Sequence, residues 1–200
     1  MKTRILALAA CVGLSACSTP VARYYTLQTP VADAPVAVAA APFQFEMLSV
    51  RVPVQVDQPQ LVVRQGQGGL AILENDRWSA PLADEFHDAL TDRLERRLGT
   101  RDLAGLPKAP GREVLSVQAE VRRFDSLPGQ YALLDVVWSL GLRGNDQPRQ
   151  TLTCASQLRQ PAGVELESLV LAHQVLIDRL SKTIADTSRA WAQGGVNGCP

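Results

Sequence analysis

Three runs of alternating apolar and polar residues follow one another in the second half of the chain, at 115–121, 134–142 and 152–158. Alternation with a period of two is typical of strands that bury one face. Short turn-rich segments join the runs, and connections of this length allow only antiparallel pairing of neighbours. The sequence therefore predicts a three-stranded antiparallel meander, with Cys154 on the apolar side of its last strand.

Two amphipathic helices are also predicted. The first follows Ser79, a residue type that caps helices, and Pro81, which fits a first helical turn, and it ends at Gly99. Its apolar residues recur every four positions: Leu82, Phe86, Leu90, Leu94 and Leu98. The second runs from about 164 to 191, and its apolar stripe recurs every three or four positions: Leu166, Val170, His173, Ile177, Leu180 and Ile184.

Strands precede the first helix as well. Alternation predicts a strand at 43–54, and two short runs at 61–64 and 70–73, joined by a Gly-rich turn, predict a hairpin. The order of strands, helix, three strands and helix predicts an α/β or α+β layer architecture, in which two main helices pack on a mixed, largely antiparallel sheet. The folded domain starts at 43 or, because residues 25–27 have strand character, near 24.

The N-terminus has the pattern of a secretory leader. Lys2 and Arg4 precede an apolar run at 5–14, which is too short for the roughly 20 residues that span a bilayer. The run continues into LSAC at 14–17, which resembles a bacterial lipobox, the signal in which the cysteine is lipidated and the chain is cut before it. The alternative is an ordinary signal peptide in which Cys17 is incidental.

The lipobox defines the expected domain organisation. We predict a signal peptide at 1–16, lipid attachment through palmitate-like acyl chains at Cys17, an Ala/Pro-rich linker as far as 42, and a single domain at 43–200. Ser18 stands where an Asp would resemble an inner-membrane retention signal, which favours an outer-membrane lipoprotein that faces the periplasm.

Charge and composition exclude several functional classes. Without Lys2 and Arg4 the chain has 18 basic and 20 acidic residues, so it lacks the basic excess that nucleic-acid binding requires. No later segment has the length of a transmembrane span. We therefore predict no nucleic-acid partner, and a membrane contact made through the lipid anchor.

Two cysteines remain after the leader and the anchor. Cys154 and Cys199 would lie in an oxidising compartment, where an even pair favours a disulfide. The alternative is a buried thiol at Cys154 and a frayed tail at Cys199, since the sequence does not show whether their α-carbons come within about 7 Å.

A search for catalytic chemistry finds little. The segment ENDRW at 74–78 has two carboxylates beside an arginine, but we assign it to a turn between a strand and a helix, where Asn and Asp are common for backbone reasons. His87 and His173 have no second ligand at metal-binding spacing, and His173 fits a packed, hydrogen-bonded histidine. We predict no enzyme activity, no cofactor and no metal.

Several motifs together resemble the ABC-type transport auxiliary lipoprotein family, which includes PqiC-like outer-membrane lipoproteins. They are the lipobox, Tyr25-x-Leu27, RVP at 51–53, PQLVVR at 59–64 and ENDRWxxPL at 74–82, with a weaker continuation through FD at 124–125 and the last helix. The resemblance implies a three-layer α/β domain similar to anticodon-binding folds. It also implies a non-enzymatic docking role in MCE-type lipid transport and membrane integrity.

The resemblance implies partners too: an MCE-domain protein with its transporter components and, because such bridges are symmetric, a homo-oligomer of the lipoprotein. Arg77 and Trp78 are candidate partner contacts, since Arg and Trp are common at interface hot spots. The alternative is that Trp78 packs beneath the helix start. The alternative function is a structural or envelope-assembly lipoprotein without a transport role.

Overall fold

A computed structural model describes residues 21–30, 38–144, 148–195 and 198–200. Its elements in chain order are β1 (Arg23–Tyr25), β2 (Gln44–Arg51), β3 (Gln60–Gln65), β4 (Gly69–Trp78), α1 (Leu82–Leu98), β5 (Val114–Leu127), β6 (Tyr131–Arg143), β7 (Gln150–Pro161) and α2 (Leu166–Ala192). The leader, Cys17 and, within the predicted linker, residues 18–20 and 31–37 lie outside the described residues.

The predicted meander is confirmed. β5 pairs with β6 and β6 with β7, both antiparallel, and Cys154 lies opposite Trp138 on the buried face. β2 joins this sheet in parallel beside β5, so the strand order is β2-β5-β6-β7. The parallel pairing ends at Arg51 and Glu120, which leaves the second half of β5 beyond the reach of β2.

The remaining three strands form a second sheet, in the order β1-β4-β3. The predicted hairpin forms its antiparallel β3–β4 pair, and β1 adds to β4 in parallel. The single mixed sheet expected from the pattern is therefore two mixed sheets of three and four strands. The fold nevertheless belongs to the predicted α/β class, and it is compatible with a three-layer arrangement.

Both helices form where the apolar stripes predicted them. The five stripe residues of α1 are fully buried, and Gly99 ends the helix with a φ of 62°, a conformation that favours glycine. One detail of the prediction is wrong: Pro81, not Ser79, is the residue that precedes the first turn, and the Ser79 hydroxyl donates to Glu85 instead. Over the described part of the chain, neither helix is long and apolar enough to cross a membrane.

The helices cover one face of the four-stranded sheet. α1 packs on α2 and on β2, while α2 lies across β6 and β7. The main core forms between these layers, and its largest fully buried side chains include Trp138, Phe43, Phe45, Phe86 and Met47. The N-terminal segment crosses the helices, because Gln174 on α2 donates to the carbonyls of Thr26 and Gln28.

Candidate docking cleft

The ENDRW segment lies inside a strand. β4 continues through it to Trp78, so the predicted turn between a strand and a helix is wrong. Leu61 pairs with Leu73 and Gln60 pairs with Arg77, which leaves three residues of β4 bulged out between these pairs. β1 then pairs in parallel with the end of β4 and holds it extended. The turn-forming residues therefore mark a bulge where β4 gains a second partner.

Asp76 fastens β1 to β4. Its carboxylate lies 2.7 Å from Arg23 Nε and accepts a hydrogen bond of 3.1 Å from the hydroxyl of Tyr25. Burial, with the neighbouring Asp76 carboxylate, raises the pKa of the Tyr25 hydroxyl. Both contacts are made by Asp76 Oδ1 and both partners belong to β1, so Asp76 stabilises the pairing of β1 with β4.

Trp78 is inside the protein. Only 5% of its surface is exposed, and its ring meets Phe124 edge to face with centroids 6.1 Å apart. Phe124 in turn stacks on His173 at 3.8 Å. Trp78 is therefore a core residue in this structure, as in the alternative interpretation of the sequence, and not an exposed contact residue. Arg77 is half-buried, and its Nε donates to the carbonyl of Glu74 at 3.3 Å.

His173 has no catalytic geometry. Its Nε2 lies 2.8 Å from the Ser126 hydroxyl, and its buried Nδ1 has no hydrogen-bond partner among the residues that the structure describes. The tautomer that leaves no buried N–H unpaired carries the proton on Nε2, so the imidazole donates to Ser126 and cannot take its proton. Burial lowers the pKa of His173 to about 3, which keeps the ring neutral.

A cleft of 150 Å³ opens between β3 and the part of β5 that β2 does not reach. The β2–β3 connection, β3, the start of β4 and the end of β5 all contribute to its walls, and the main lining residues are Pro53, Val56, Val62, Arg64, Leu70 and Phe124. Motifs far apart in the chain meet here. RVP supplies Pro53, PQLVVR supplies Val62 and Arg64, and FD supplies Phe124 with its neighbour Asp125.

Apolar side chains extend from the cleft to the surface. Val54 is 84% exposed, Leu70 48% and Ile72 51%. Ile72 pairs with Val62 across the β3–β4 ladder, and Leu70 pairs with Arg64, so each pair shares one face of the sheet. Exposed apolar groups clustered beside a cleft are typical of an interaction surface.

The rim of the cleft is basic. Arg64 Nε lies 3.1 Å from the Asp125 carboxylate, Arg123 pairs with the same carboxylate, and Arg122 lies 3.2 Å from Glu120. Three guanidinium groups therefore face two carboxylates, and Arg51 adds a fourth at 3.2 Å from Glu120. The rim has a formal charge of +2, whereas the chain without its leader has a charge of −2.

The other candidate sites are structural. Cys154 and Cys199 form a disulfide with their α-carbons 5.5 Å apart, which is the first of the two alternatives left open by the sequence. His87 lies 3.0 Å from Asp88 on the helix surface. Within the described ranges, no three His, Cys, Asp or Glu side chains converge as a metal site would require.

Comparisons with known proteins identify the family of the chain and relatives of its fold. The family model for the ABC-type transport auxiliary lipoprotein component matches residues 25–185, so the chain belongs to that family. The match confirms the family to which the motifs pointed. No curated protein sequence matches the chain.

Two solved structures share the fold. One is the crystal structure of an uncharacterized protein, with a TM-score of 0.64 and 16% identity, covering 84% of this chain and 99% of that one. The other is the protein XCC0632 from Xanthomonas campestris, of the DUF330 family, with a TM-score of 0.61, 17% identity and coverage of 86% and 98%. At these identities the likeness extends to the fold alone.

The basic rim was not predicted. Arg122 and Arg123 lie next to the Phe124 of the weak FD motif, and that motif was the available signal for them. Arg122 and Arg123 lie on one sheet and Arg64 on the other. No local sequence pattern predicts that the strands divide into these two sheets, so the proximity of the three arginines could not be predicted.

Proposed function

We propose that this auxiliary component of an ABC-type transport system is an outer-membrane lipoprotein, held by acyl chains on Cys17 and facing the periplasm. It docks an MCE-domain protein that carries lipid between the two membranes, and it does so without enzymatic activity. The family membership supports the transport role, and the lipobox with Ser18 supports the anchor and its membrane.

One observation carries the docking role: motifs separated by up to about 70 residues converge on a single surface cleft with an apolar floor and a basic rim. Trp78, a candidate partner contact from the sequence, lies beneath the cleft wall and supports Phe124 there. Arg77 lies on the neighbouring surface of β4 and remains a proposed direct contact.

The size of the cleft argues against a lipid carrier. Sites that enclose small molecules have volumes of about 300–1,000 Å³, whereas this cleft has 150 Å³ and opens to solvent. A docking surface needs no such enclosure, because a few partner side chains in well-packed pockets supply most of the binding energy.

The test is to crosslink the full lipidated chain in native membranes, purify it and identify the captured proteins by mass spectrometry. The proposal predicts an MCE-domain protein together with transporter components, in the outer-membrane fraction. Recovery of outer-membrane assembly proteins alone would contradict it and favour the envelope-assembly alternative. A Cys17→Ser chain, which lacks the acyl acceptor, should leave the outer-membrane fraction and serves as the control for the anchor.

A further inference from the structure

We infer that the occupant of the β3–β5 cleft is an extended, acidic and apolar peptide segment of the partner protein. The inference rests on the proposed docking function and specifies the chemistry of the segment that docks.

The basic rim of the cleft favours a docked segment with negative charge. Arg122 and Arg123 are about half exposed, and each already meets one carboxylate of its own chain. Arg64 and Arg123 share a single carboxylate, that of Asp125, so the rim is undersupplied with negative charge. Carboxylates from a partner would supply the missing pairing, and such complementary charges steer association.

The spacing of the side chains along β3 and β4 favours a docked segment with an extended backbone. The Val62–Ile72 pair and the Arg64–Leu70 pair lie two residues apart along the ladder, which is about 7 Å on an extended strand. An extended peptide repeats its side chains on one face at the same interval. An apolar residue and an acidic residue two positions apart on such a peptide would therefore meet the apolar and the basic groups in turn.

A flat anionic lipid surface fits the same features less well. The apolar side chains Leu70 and Ile72 lie beside a concave cleft whose floor, formed by Val56 and Val62, is recessed and almost fully buried. A peptide side chain can enter this recess, whereas a bilayer surface would contact only its rim.

The test places the photoreactive residue p-benzoylphenylalanine at position 72 of the full-length chain in native membranes. The crosslinked peptide is then sequenced by mass spectrometry. We expect a segment of a transport component in which an apolar residue and a carboxylate residue stand two positions apart. The paired variant Arg122→Gln with Arg123→Gln should lower the crosslinking yield about fivefold, since two exposed charge pairs are lost.

Arg112→Gln is the matched control, because this exposed arginine lies before the opposite end of β5, and about 26 Å of strand separate Val114 from Arg122. The control should leave the yield unchanged, and melting temperatures should confirm that all variants fold. A lipid crosslink, a captured segment without carboxylates, or an unchanged yield in the paired variant would overturn the inference. If the transport component copurifies but position 72 does not capture it, the cleft assignment fails while the proposed function stands.

Discussion

Acid should destabilise this protein through one histidine. The pKa of His173 is about 3 in the folded chain and near 6.5 in an unfolded one, so its contribution to stability is complete above pH 6.5 and is lost as the pH falls towards 3. At pH 5.0 the histidine is protonated in the unfolded chain and neutral in the folded one. The free energy of unfolding is therefore lower by about 2 kcal/mol, because pH 5.0 lies 1.5 pH units below the unfolded pKa of 6.5.

Urea unfolding at pH 7.5 and pH 5.0 measures this loss against a His173→Phe variant, which keeps an aromatic ring against Phe124 but cannot titrate. Carboxylates titrate equally in both proteins, so the difference between the two pH effects isolates the histidine. We expect the parent to lose about 2 kcal/mol more than the variant, or about 1 M in urea midpoint at a typical slope of about 2 kcal/mol per molar. Equal losses in both proteins would show that His173 does not make this contribution to stability.

Three further predictions concern stability. Trp78→Ala should lower the free energy of unfolding by about 3–5 kcal/mol, whereas Arg77→Ala should change it by less than about 0.5 kcal/mol; similar urea midpoints for the two variants would contradict the buried position of Trp78. Replacing Cys154 and Cys199 by serine opens a loop of 45 residues and should cost up to about 4 kcal/mol, and thiol alkylation of the unreduced parent should label neither residue. Glu85→Ala removes a buried carboxylate that accepts hydrogen bonds from the Thr26 hydroxyl, the Leu27 amide and the Ser79 hydroxyl. Hydrogen exchange of the segment after β1 should therefore accelerate while that of the meander does not. Equal acceleration in both regions would contradict a local role for Glu85.

The elements that follow from local pattern were predictable. The meander strands alternate with a period of two, and the helix that ends at Gly99 repeats every four residues, so each element specifies its own buried face. The family was predictable as well, because its motifs are contiguous in the sequence.

The cleft was not predictable, because it depends on where distant segments stop and change partner. β2 ends at Arg51, which leaves the end of β5 open, and the bulge in β4 lets β1 pair with it in parallel. Neither event has a local signature, since the residues of the bulge are also those of a turn. Trp78 could be assigned to the core only once its neighbour Phe124, 46 positions later in the chain, was known.

An affinity measurement tests the proposal that the β3–β5 cleft docks an MCE-domain protein. The purified full-length lipoprotein is titrated with the purified MCE-domain protein of the same organism, alongside an Ile72→Asp variant and the Arg112→Gln control. We expect the parent and the control to bind equally, and Ile72→Asp, which places a charge on the exposed apolar surface beside the cleft, to bind at least about tenfold more weakly. A folded parent that does not bind the MCE-domain protein, or an Ile72→Asp variant that binds as tightly as the control, would contradict the proposal.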